Sequence, residues 1–424
     1  MPEDTQWQKY CSRFKTYPAL LDPPESLVGM VVCIPVFAEP DLIGTLESLL
    51  QCDLPPTRVE IIVLFNRNDR MTNDEESLHR KTWNECQQWV HRHNGGTLQY
   101  KPIQIDTFPD PKGGVGWARK IVMDEAAQRA GSEGLLICLD ADCTVAKNYL
   151  TAIYSFFAQH PNCNAASIYF EHHLDPLDTS VRDAIVQYEL HLRYLVHALR
   201  WSGHPFAFQT VGSAMAVRRG AYLAQGGMNT RQAGEDFYFL QKFIELNSLG
   251  EIRDTIVFPS ARISHRVPFG TGRAMQSLLS ESTQWMTTDF QVFRHIKPLL
   301  GNVEQVRNVA KDLTITEPYV WLQHSIGLQE GVLRFLESID FIAHCRSVEK
   351  HTTSLTSFRQ RFFRYFNAFM MIRYMHYMVD HGYPEVQIGE ASRTLAVECK
   401  LLSSDVIDPE ELLFIYRNRD RLKL

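Results

Sequence analysis

Apolar and polar stretches alternate regularly along the first 140 residues of the chain. Short apolar runs predict four β-strands, and repeats of helical spacing between them predict three helices. The predicted strands span residues 30–36, 59–65, 97–105 and 135–140, and the predicted helices span 41–51, 72–93 and 115–130. Thr72 and Glu75 have the spacing of a capping box at the start of the second helix. This strand–helix order is typical of a doubly wound, mostly parallel sheet flanked by helices.

The pattern after residue 164 is less regular. We expect strands at 165–170 and 211–217, and helices at 178–199 and 235–249. Beyond about residue 300 helical spacing dominates, whereas Pro18, Pro23 and Pro24 disfavour regular structure near the start of the chain. The sequence therefore predicts an N-terminal extension over residues 1–28, an α/β domain over 29–300 and a helical C-terminal region over 301–424.

Composition narrows the class of protein. With 424 residues, 45% of them hydrophobic and 22% charged, the chain has the character of a soluble globular protein with two cores. A net charge of −6 argues against nucleic acid as a partner. The N-terminus does not resemble a signal peptide, and the nine cysteines contain no C-x-x-C pair, so we expect free thiols in the cytoplasm.

One aromatic and basic stretch, residues 362–378, leaves two interpretations open. Charged residues interrupt it, so it is not a transmembrane span. It has the composition either of a helix packed in a core or of a helix in peripheral contact with the inner face of a membrane.

Two carboxylates follow the fourth predicted strand. Asp140 and Asp142 flank Ala141 directly after a buried-type apolar run. Ligands of open α/β sheets bind outside the carboxyl ends of the strands, and two oxygen donors there suit Mg²⁺ or Mn²⁺ bridging a diphosphate. A D-x-D triplet arises by chance about once or twice in a chain of this length. A polar strand end is the alternative interpretation of the pair alone.

Further short motifs accompany this pair in a fixed order. They are Ile34-Pro35-Val36-Phe37-Ala38-Glu39, Glu60-Ile61-Ile62-Val63-Leu64, Gly116-Trp117-Ala118-Arg119-Lys120, Gly226-Gly227-Met228 and Gly234-Glu235-Asp236-Phe237. In this order and spacing the series resembles family 2 glycosyltransferases, which have the nucleotide-sugar-binding GT-A fold, over roughly residues 28–275. The resemblance implies metal-dependent, inverting transfer of a sugar from a nucleoside-diphosphate sugar to a hydroxyl acceptor in glycan biosynthesis.

The resemblance also implies roles for individual residues. Asp236 is the expected general base, with Glu235 as the second candidate, although acids at a helix start also act as caps. The expected metal ligands are Asp140, Asp142 and His265. The expected contacts of the donor are Pro35, Phe37, Glu39, Asn66, Asp69, Lys112, Arg119, Asp140, Ala141, Asp142, Arg266 and Arg273. Structural or solvated side chains remain the alternative for His265 and for the arginines.

One position departs from the family. The residues after the second strand are Asn66-Arg67-Asn68-Asp69, where the family usually has an acidic pair that recognises the nucleobase. Asn66 or Asp69 is the candidate replacement, and the nucleotide stays unassigned. The acceptor (a glycan, a lipid-linked molecule or a small molecule) stays equally open, with Glu171-His172-His173 as a candidate contact.

Two other functions remain as alternatives. The first is a sugar-phosphate nucleotidyltransferase, which usually has a glycine-rich basic loop where this chain has Pro35 to Glu39. The second is a non-catalytic nucleotide-sugar-binding domain of the same fold. A dinucleotide-binding oxidoreductase is disfavoured because no G-x-G-x-x-G turn follows the first strand.

Overall fold

The computed structural model describes residues 5–68, 71–109, 113–263, 270–281, 284–402 and 408–422. The chain divides into two compact units. The first comprises Met1–Ile185, Thr210–Ser277 and Arg419–Leu424, and the second comprises Val186–Gln209 and Leu278–Asn418. The domain boundaries at residues 28 and 300 stay a prediction from the sequence.

An eight-stranded sheet forms the centre of the first unit. Its strands are β1 (Val28–Val36), β2 (Val59–Asn66), β3 (Leu98–Ile105), β4 (Ala130–Cys138), β5 (Thr144–Val145), β6 (Ala165–Phe170), β7 (Met215–Arg218) and β8 (Leu249–Phe258). Their order across the sheet is β3-β2-β1-β4-β7-β6-β8-β5. The pairs β3–β2, β2–β1, β1–β4 and β6–β8 are parallel, whereas β7 runs antiparallel to β4 and β6, and β5 antiparallel to β8.

The strand directions bring the carboxyl ends of most strands to one edge of the sheet. Because β7 is antiparallel to both β4 and β6, the carboxyl ends of β1, β2, β4, β6 and β8 lie at the same edge as the amino end of β7. The central strands are almost continuously buried, as expected when helices cover both faces. The predicted mostly parallel sheet is confirmed.

The helices in this part of the chain include those predicted at 41–51, 72–93, 115–130 and 178–199, which agree closely with their predicted bounds, together with others that were not predicted. They are α1 (Thr5–Cys11), α2 (Leu42–Leu50), α3 (Asn73–His93), α4 (Val115–Arg129), α5 (Tyr149–Gln159), α6 (Thr179–Trp201), α7 (Arg219–Ala224), α8 (Glu235–Glu245) and α9 (Thr271–Glu281). The capping box of α3 is present, with the backbone N–H of Glu75 donating to Thr72 Oγ1 and that of Thr72 donating to Glu75 Oε2. Helix α6 continues into the second unit.

The N-terminal segment differs from the irregular extension that its prolines suggested. Residues 12–27 are irregular, but α1 precedes them and its Tyr10 is buried. The hydroxyl of Tyr10 donates to Asp124 Oδ1 at 2.7 Å, and Lys120 Nζ donates to both residues. Farther along, the backbone N–H of Leu20 donates to Glu125 Oε2 at 2.9 Å. The segment thus lies along α4 and is part of the folded unit.

The second unit is helical, as predicted. Two short strands, β9 (Met286–Thr287) and β10 (Val386–Gln387), form an antiparallel pair in this unit. Its helices after α6 are α10 (Phe290–Gly301), α11 (Val303–Lys311), α12 (Pro318–Ile326), α13 (Glu330–Ser338), α14 (Phe341–Lys350), α15 (Leu355–Tyr365), α16 (Ala368–Asp380), α17 (Ile388–Glu398) and α18 (Pro409–Leu422). Within this unit, buried Glu189 of α6 accepts hydrogen bonds from Arg193 and from Arg417 of α18.

Three further findings concern membrane spanning, the cysteines and the surface of α16. Within the described ranges, no helix is both long enough and apolar enough to cross a bilayer. All nine cysteines fall inside these ranges and carry free thiols. Along α16 the residues Met371, Tyr374 and Met378 are buried, while Phe369 and Ile372 on the same helix are exposed.

Candidate functional site

The carboxyl ends of the neighbouring strands β1, β2 and β4 bring most of the predicted residues together. Asn66 is the last residue of β2 and is buried. After β1, the backbone of Ala38 adopts a φ of 44°, a left-handed conformation that costs energy for a residue with a Cβ. The backbone N–H of Ala38 donates to Nδ1 of the buried His79, and this strained turn leads directly to Glu39.

Arg119 connects two parts of the sequence that are far apart. It is 5% exposed, near the start of α4. Its guanidinium donates to Asp140 Oδ1 at 2.5 Å and pairs with the carboxylate of Glu235, which is itself 2% exposed. The alternative of a solvated helix charge is therefore wrong for Arg119. Because Glu235 is the first residue of α8, this one side chain holds the end of β4 and the start of α8 together.

Glycines make room for this arrangement. A Cβ at Gly212, in the turn before β7, would lie 2.3 Å from a guanidinium nitrogen of Arg119. A Cβ at Gly116 would lie 2.2 Å from the backbone oxygen of Arg231, in the loop that leads to α8. Both distances are shorter than real Cβ contacts. The segment 211–217, predicted to be a strand, therefore begins as a turn at the site and becomes β7 only at Met215.

A second arginine, Arg262, was not predicted from the sequence. It follows β8 and pairs with Glu39, which is 2% exposed. Its guanidinium also lies 3.3 Å from Asp142 Oδ2 and 3.8 Å from Asp41 Oδ2. The signal that would have found it is β8 itself, because a basic residue just after a core strand lies at the same edge as Asp140 and Asp142.

Asp236 occupies the first turn of α8, after Gly234 in a left-handed conformation with φ of 69°. Its Oδ1 accepts a hydrogen bond of 2.7 Å from the backbone N–H of Phe237. Burial raises the pKa of Asp236 to about 6, Arg119 opposes this rise, and the charges of Glu235 and Asp140 add to it. A carboxylate with this pKa is ionised at neutral pH and is a stronger base than an ordinary aspartate.

Carboxylates are numerous at this edge of the sheet. Two arginines, Arg119 and Arg262, face six carboxylates that we call the acidic cluster: Glu39, Asp41, Asp140, Asp142, Glu235 and Asp236. Carboxylate oxygens gathered in this way are the kind of ligand that hard divalent cations bind.

Asp140 and Asp142 suit such a cation. Their side chains are 37% and 25% exposed, and they offer carboxylate oxygens one residue apart. Among the described residues no three His, Cys, Asp or Glu side chains form a complete metal-binding group. Mg²⁺ and Mn²⁺ sites that bind phosphates use only one or two carboxylates and take the other ligands from phosphate and water. The two residues therefore fit a divalent cation that arrives with a diphosphate.

The other predicted site residues have varied positions. Pro35 lies inside β1 opposite Leu64 of β2, and Phe37 is partly buried just after this strand. Ala141 is buried and its carbonyl accepts a hydrogen bond of 2.8 Å from Thr45 Oγ1. Arg273 is exposed on α9, where it donates to Gln276. Four predicted residues lie outside the described ranges, namely Asp69, Lys112, His265 and Arg266.

The candidate acceptor contacts lie at the same sheet edge, after β6. His172 is buried, and its Nε2 lies 3.5 Å from the hydroxyl of Thr271, the first residue of α9. His173 stacks on Phe258 at the end of β8, with 4.1 Å between the ring centroids. These histidines therefore take part in packing between the loops that follow β6 and β8.

Comparison with known proteins gives the following matches. The sequence model of Glycosyl transferase family 2 matches residues 31–221. No curated protein sequence matches the chain significantly. Among solved structures, the chain is similar to S. aureus TarS 1-349 in complex with UDP-GlcNAc, with 15% identity, a TM-score of 0.41 and coverage of 76% of this chain and 91% of that chain. It is also similar to the mannosyltransferase PcManGT from Pyrobaculum calidifontis in complex with GDP-Man and Mn²⁺, with 12% identity, a TM-score of 0.36 and coverage of 99% and 93%.

The family match covers β1 to β7, including Arg119 and both carboxylates that follow β4. The motifs from Ile34 to Asp142 on which the resemblance is based lie within this match, whereas Gly226-Gly227-Met228 and Gly234-Glu235-Asp236-Phe237 lie beyond it. The match to the model of Glycosyl transferase family 2 over residues 31–221 agrees with the family and the glycosyltransferase class predicted from the sequence.

Proposed function

We propose that the chain transfers a sugar from a nucleoside-diphosphate sugar to a hydroxyl acceptor, with inversion at the anomeric carbon and with a divalent cation at Asp140 and Asp142. The observation that carries this proposal is the double ion pair of Arg119. It ties Asp140, the candidate diphosphate end of the site, to Glu235, the immediate neighbour of the candidate base Asp236. The residues proposed for the leaving group and for proton transfer are thereby linked through one arginine side chain.

The leaving group of this reaction is a nucleoside diphosphate. Asp140 and Asp142 would hold Mn²⁺ or Mg²⁺, and a cation bound there would neutralise the charge that develops on the diphosphate. Arg119 has both of its terminal guanidinium nitrogens engaged by carboxylates. Its proposed role is therefore to orient Asp140 and α8.

Asp236 is the proposed general base. In a direct displacement the acceptor oxygen attacks the anomeric carbon, the bond from that carbon to the phosphate oxygen breaks, and the hydroxyl proton passes to the Asp236 carboxylate. A pKa of about 6 suits this transfer, because the base is then ionised near neutral pH and still binds a proton well. Glu235 is buried against Arg119, so we assign it the positioning of that arginine and leave the proton transfer to Asp236.

Asn66 is the proposed contact of the nucleobase. It ends β2 beside the loop of Glu39, and its amide can both donate and accept hydrogen bonds. Uridine, guanosine and thymidine nucleotides stay equally open. The acceptor class, a cytoplasmic location and peripheral membrane contact through residues 362–378 likewise stay predictions from the sequence.

The proposal is tested by the pH dependence of sugar transfer together with product analysis. With saturating donor, the rate of the wild-type enzyme should fall about tenfold for each pH unit below pH 6, as the Asp236 carboxylate becomes protonated. The sugar in the product should have the anomeric configuration opposite to that in the donor. Pyrophosphate release from a nucleoside triphosphate and a sugar phosphate would instead favour a nucleotidyltransferase, and binding of the donor without turnover would favour a non-catalytic domain.

A further inference from the structure

Arg262 is shared by two carboxylates in different environments. Glu39 is 2% exposed and pairs with Nη2 of Arg262, whereas Asp142 is 25% exposed and its Oδ2 lies 3.3 Å from the same nitrogen. The Nε atom of Arg262 is buried and makes no hydrogen bond to any described residue. The contact of Arg262 with Glu39 is thus shorter and more buried than its contact with Asp142.

The contact with Asp142 has a consequence for cation binding. A guanidinium group is permanently charged, and a second cation at the same carboxylate is repelled over the few ångströms that separate them. A divalent cation at Asp140 and Asp142 must therefore overcome this repulsion or displace the arginine. A diphosphate can relieve the conflict, because guanidinium groups bind phosphate oxygens through paired hydrogen bonds.

We infer that Arg262 competes with the divalent cation for Asp142 and that a diphosphate releases Asp142 by drawing the guanidinium to its own oxygens. The cation and the nucleoside diphosphate then bind cooperatively, and each raises the affinity of the other by the same factor. Arg262 is in this view a specificity-determining residue that disfavours the cation without its diphosphate. The inference rests on the proposed cation site at Asp140 and Asp142.

The direct test measures Mn²⁺ affinity in the absence of nucleotide, by electron paramagnetic resonance of the free ion. Arg262→Gln should bind Mn²⁺ about tenfold more tightly than the wild type, because one positive charge leaves the site. The matched control is Arg253→Gln. Arg253 lies within β8 and pairs with Glu251 at 2.5 Å. This variant therefore also loses one positive charge and one ion pair, but neither involves Asp142. It should bind Mn²⁺ as the wild type does.

A second pair of variants keeps the test valid if Arg262→Gln does not fold. Loss of Arg262 alone removes an ion pair from the buried carboxylate of Glu39, which is destabilising. The double variant Glu39→Gln/Arg262→Gln removes both charges, and its Mn²⁺ affinity is compared with that of Glu39→Gln alone. The step from single to double variant should again tighten Mn²⁺ binding about tenfold.

Cooperativity is measured with UDP and with GDP. Either nucleotide that binds should raise the Mn²⁺ affinity of the wild type by a factor about tenfold larger than in Arg262→Gln. Equal Mn²⁺ affinity in the wild type and Arg262→Gln, with a site that Asp142→Asn abolishes, would overturn the inference and leave the proposed metal site intact. No Mn²⁺ binding by any variant, with or without either nucleotide, would instead contradict the proposed metal site.

Discussion

Asp236→Asn is expected to abolish sugar transfer and at the same time to stabilise the folded protein near neutral pH. The asparagine cannot accept the proton of the acceptor hydroxyl, but its amide oxygen can keep the hydrogen bond from the backbone N–H of Phe237. The stabilisation follows from the position of Asp236, because burial and the neighbouring carboxylates disfavour its ionised form in the folded state.

The size and sign of this effect follow from the pKa. Folding raises the pKa of Asp236 from an ordinary value of 3.8 to about 6. Above pH 6 the ionised carboxylate therefore destabilises the fold, and at about 1.4 kcal/mol for each pKa unit the full cost approaches about 3 kcal/mol. Partial exposure of the side chain reduces the cost, so we expect about 1–3 kcal/mol. As the pH falls from 6 to below 4 the cost disappears, because both states then bind the proton.

The assay is urea denaturation of the wild type and Asp236→Asn at several pH values between 4 and 8. The stability gain of the variant should be largest at pH 7–8 and should vanish near pH 4. Asp74→Asn is the matched control, since Asp74 also lies in the first turn of a helix but is exposed. It should lose a few tenths of a kcal/mol through the helix dipole. A variant Asp236→Asn that is less stable at pH 7, or that retains sugar transfer, would refute the reasoning.

Three further substitutions test the framework of the site. Gly212→Ala should weaken donor binding, because the added Cβ meets the guanidinium of Arg119. The control Gly44→Ala lies at an open position of α2 and should stabilise the fold by about 0.5–1 kcal/mol. Donor titration and urea denaturation measure both variants. Arg119→Lys should cost about 3 kcal/mol in stability, because a lysine cannot pair with two carboxylates through a planar fork; equal stability in urea would contradict this. Tyr10→Phe should destabilise the first unit by about 1–3 kcal/mol in the same assay, because the buried Asp124 loses one hydrogen-bond donor. An unchanged midpoint would contradict a stabilising role for this hydrogen bond.

The parts of the fold nearest the site were predictable because buried parallel strands are continuous apolar runs. The predicted strands at 59–65 and 165–170 agree with β2 and β6 to within one residue. The prediction was poorer where the chain changes direction within an apolar stretch. The expected helix at 235–249 ends at Glu245, and the last residue of that segment already belongs to β8.

The contacts that build the site could not be predicted from local patterns. Arg119 and Glu235 are 116 positions apart in the chain, and Arg262 and Glu39 are 223 apart. Motifs predicted Asp140, Asp142 and Asp236 as site residues because the first two follow a predicted strand and the third lies at the start of a predicted helix. Arg262 has no such motif, and only the pairing of β8 with β6 brings the residues after Phe258 to the edge where β4 also ends.

The most direct test of the account is calorimetric titration of the wild type and of Asp140→Asn/Asp142→Asn with UDP, GDP and thymidine diphosphate sugars, in Mn²⁺ and in chelator. The account predicts that one nucleotide sugar binds the wild type in a Mn²⁺-dependent manner and that the double variant loses at least about a hundredfold in affinity, which corresponds to about 2.7 kcal/mol. Binding that is equally strong in chelator and in the double variant, or no binding of any nucleotide sugar, would contradict the proposed donor site.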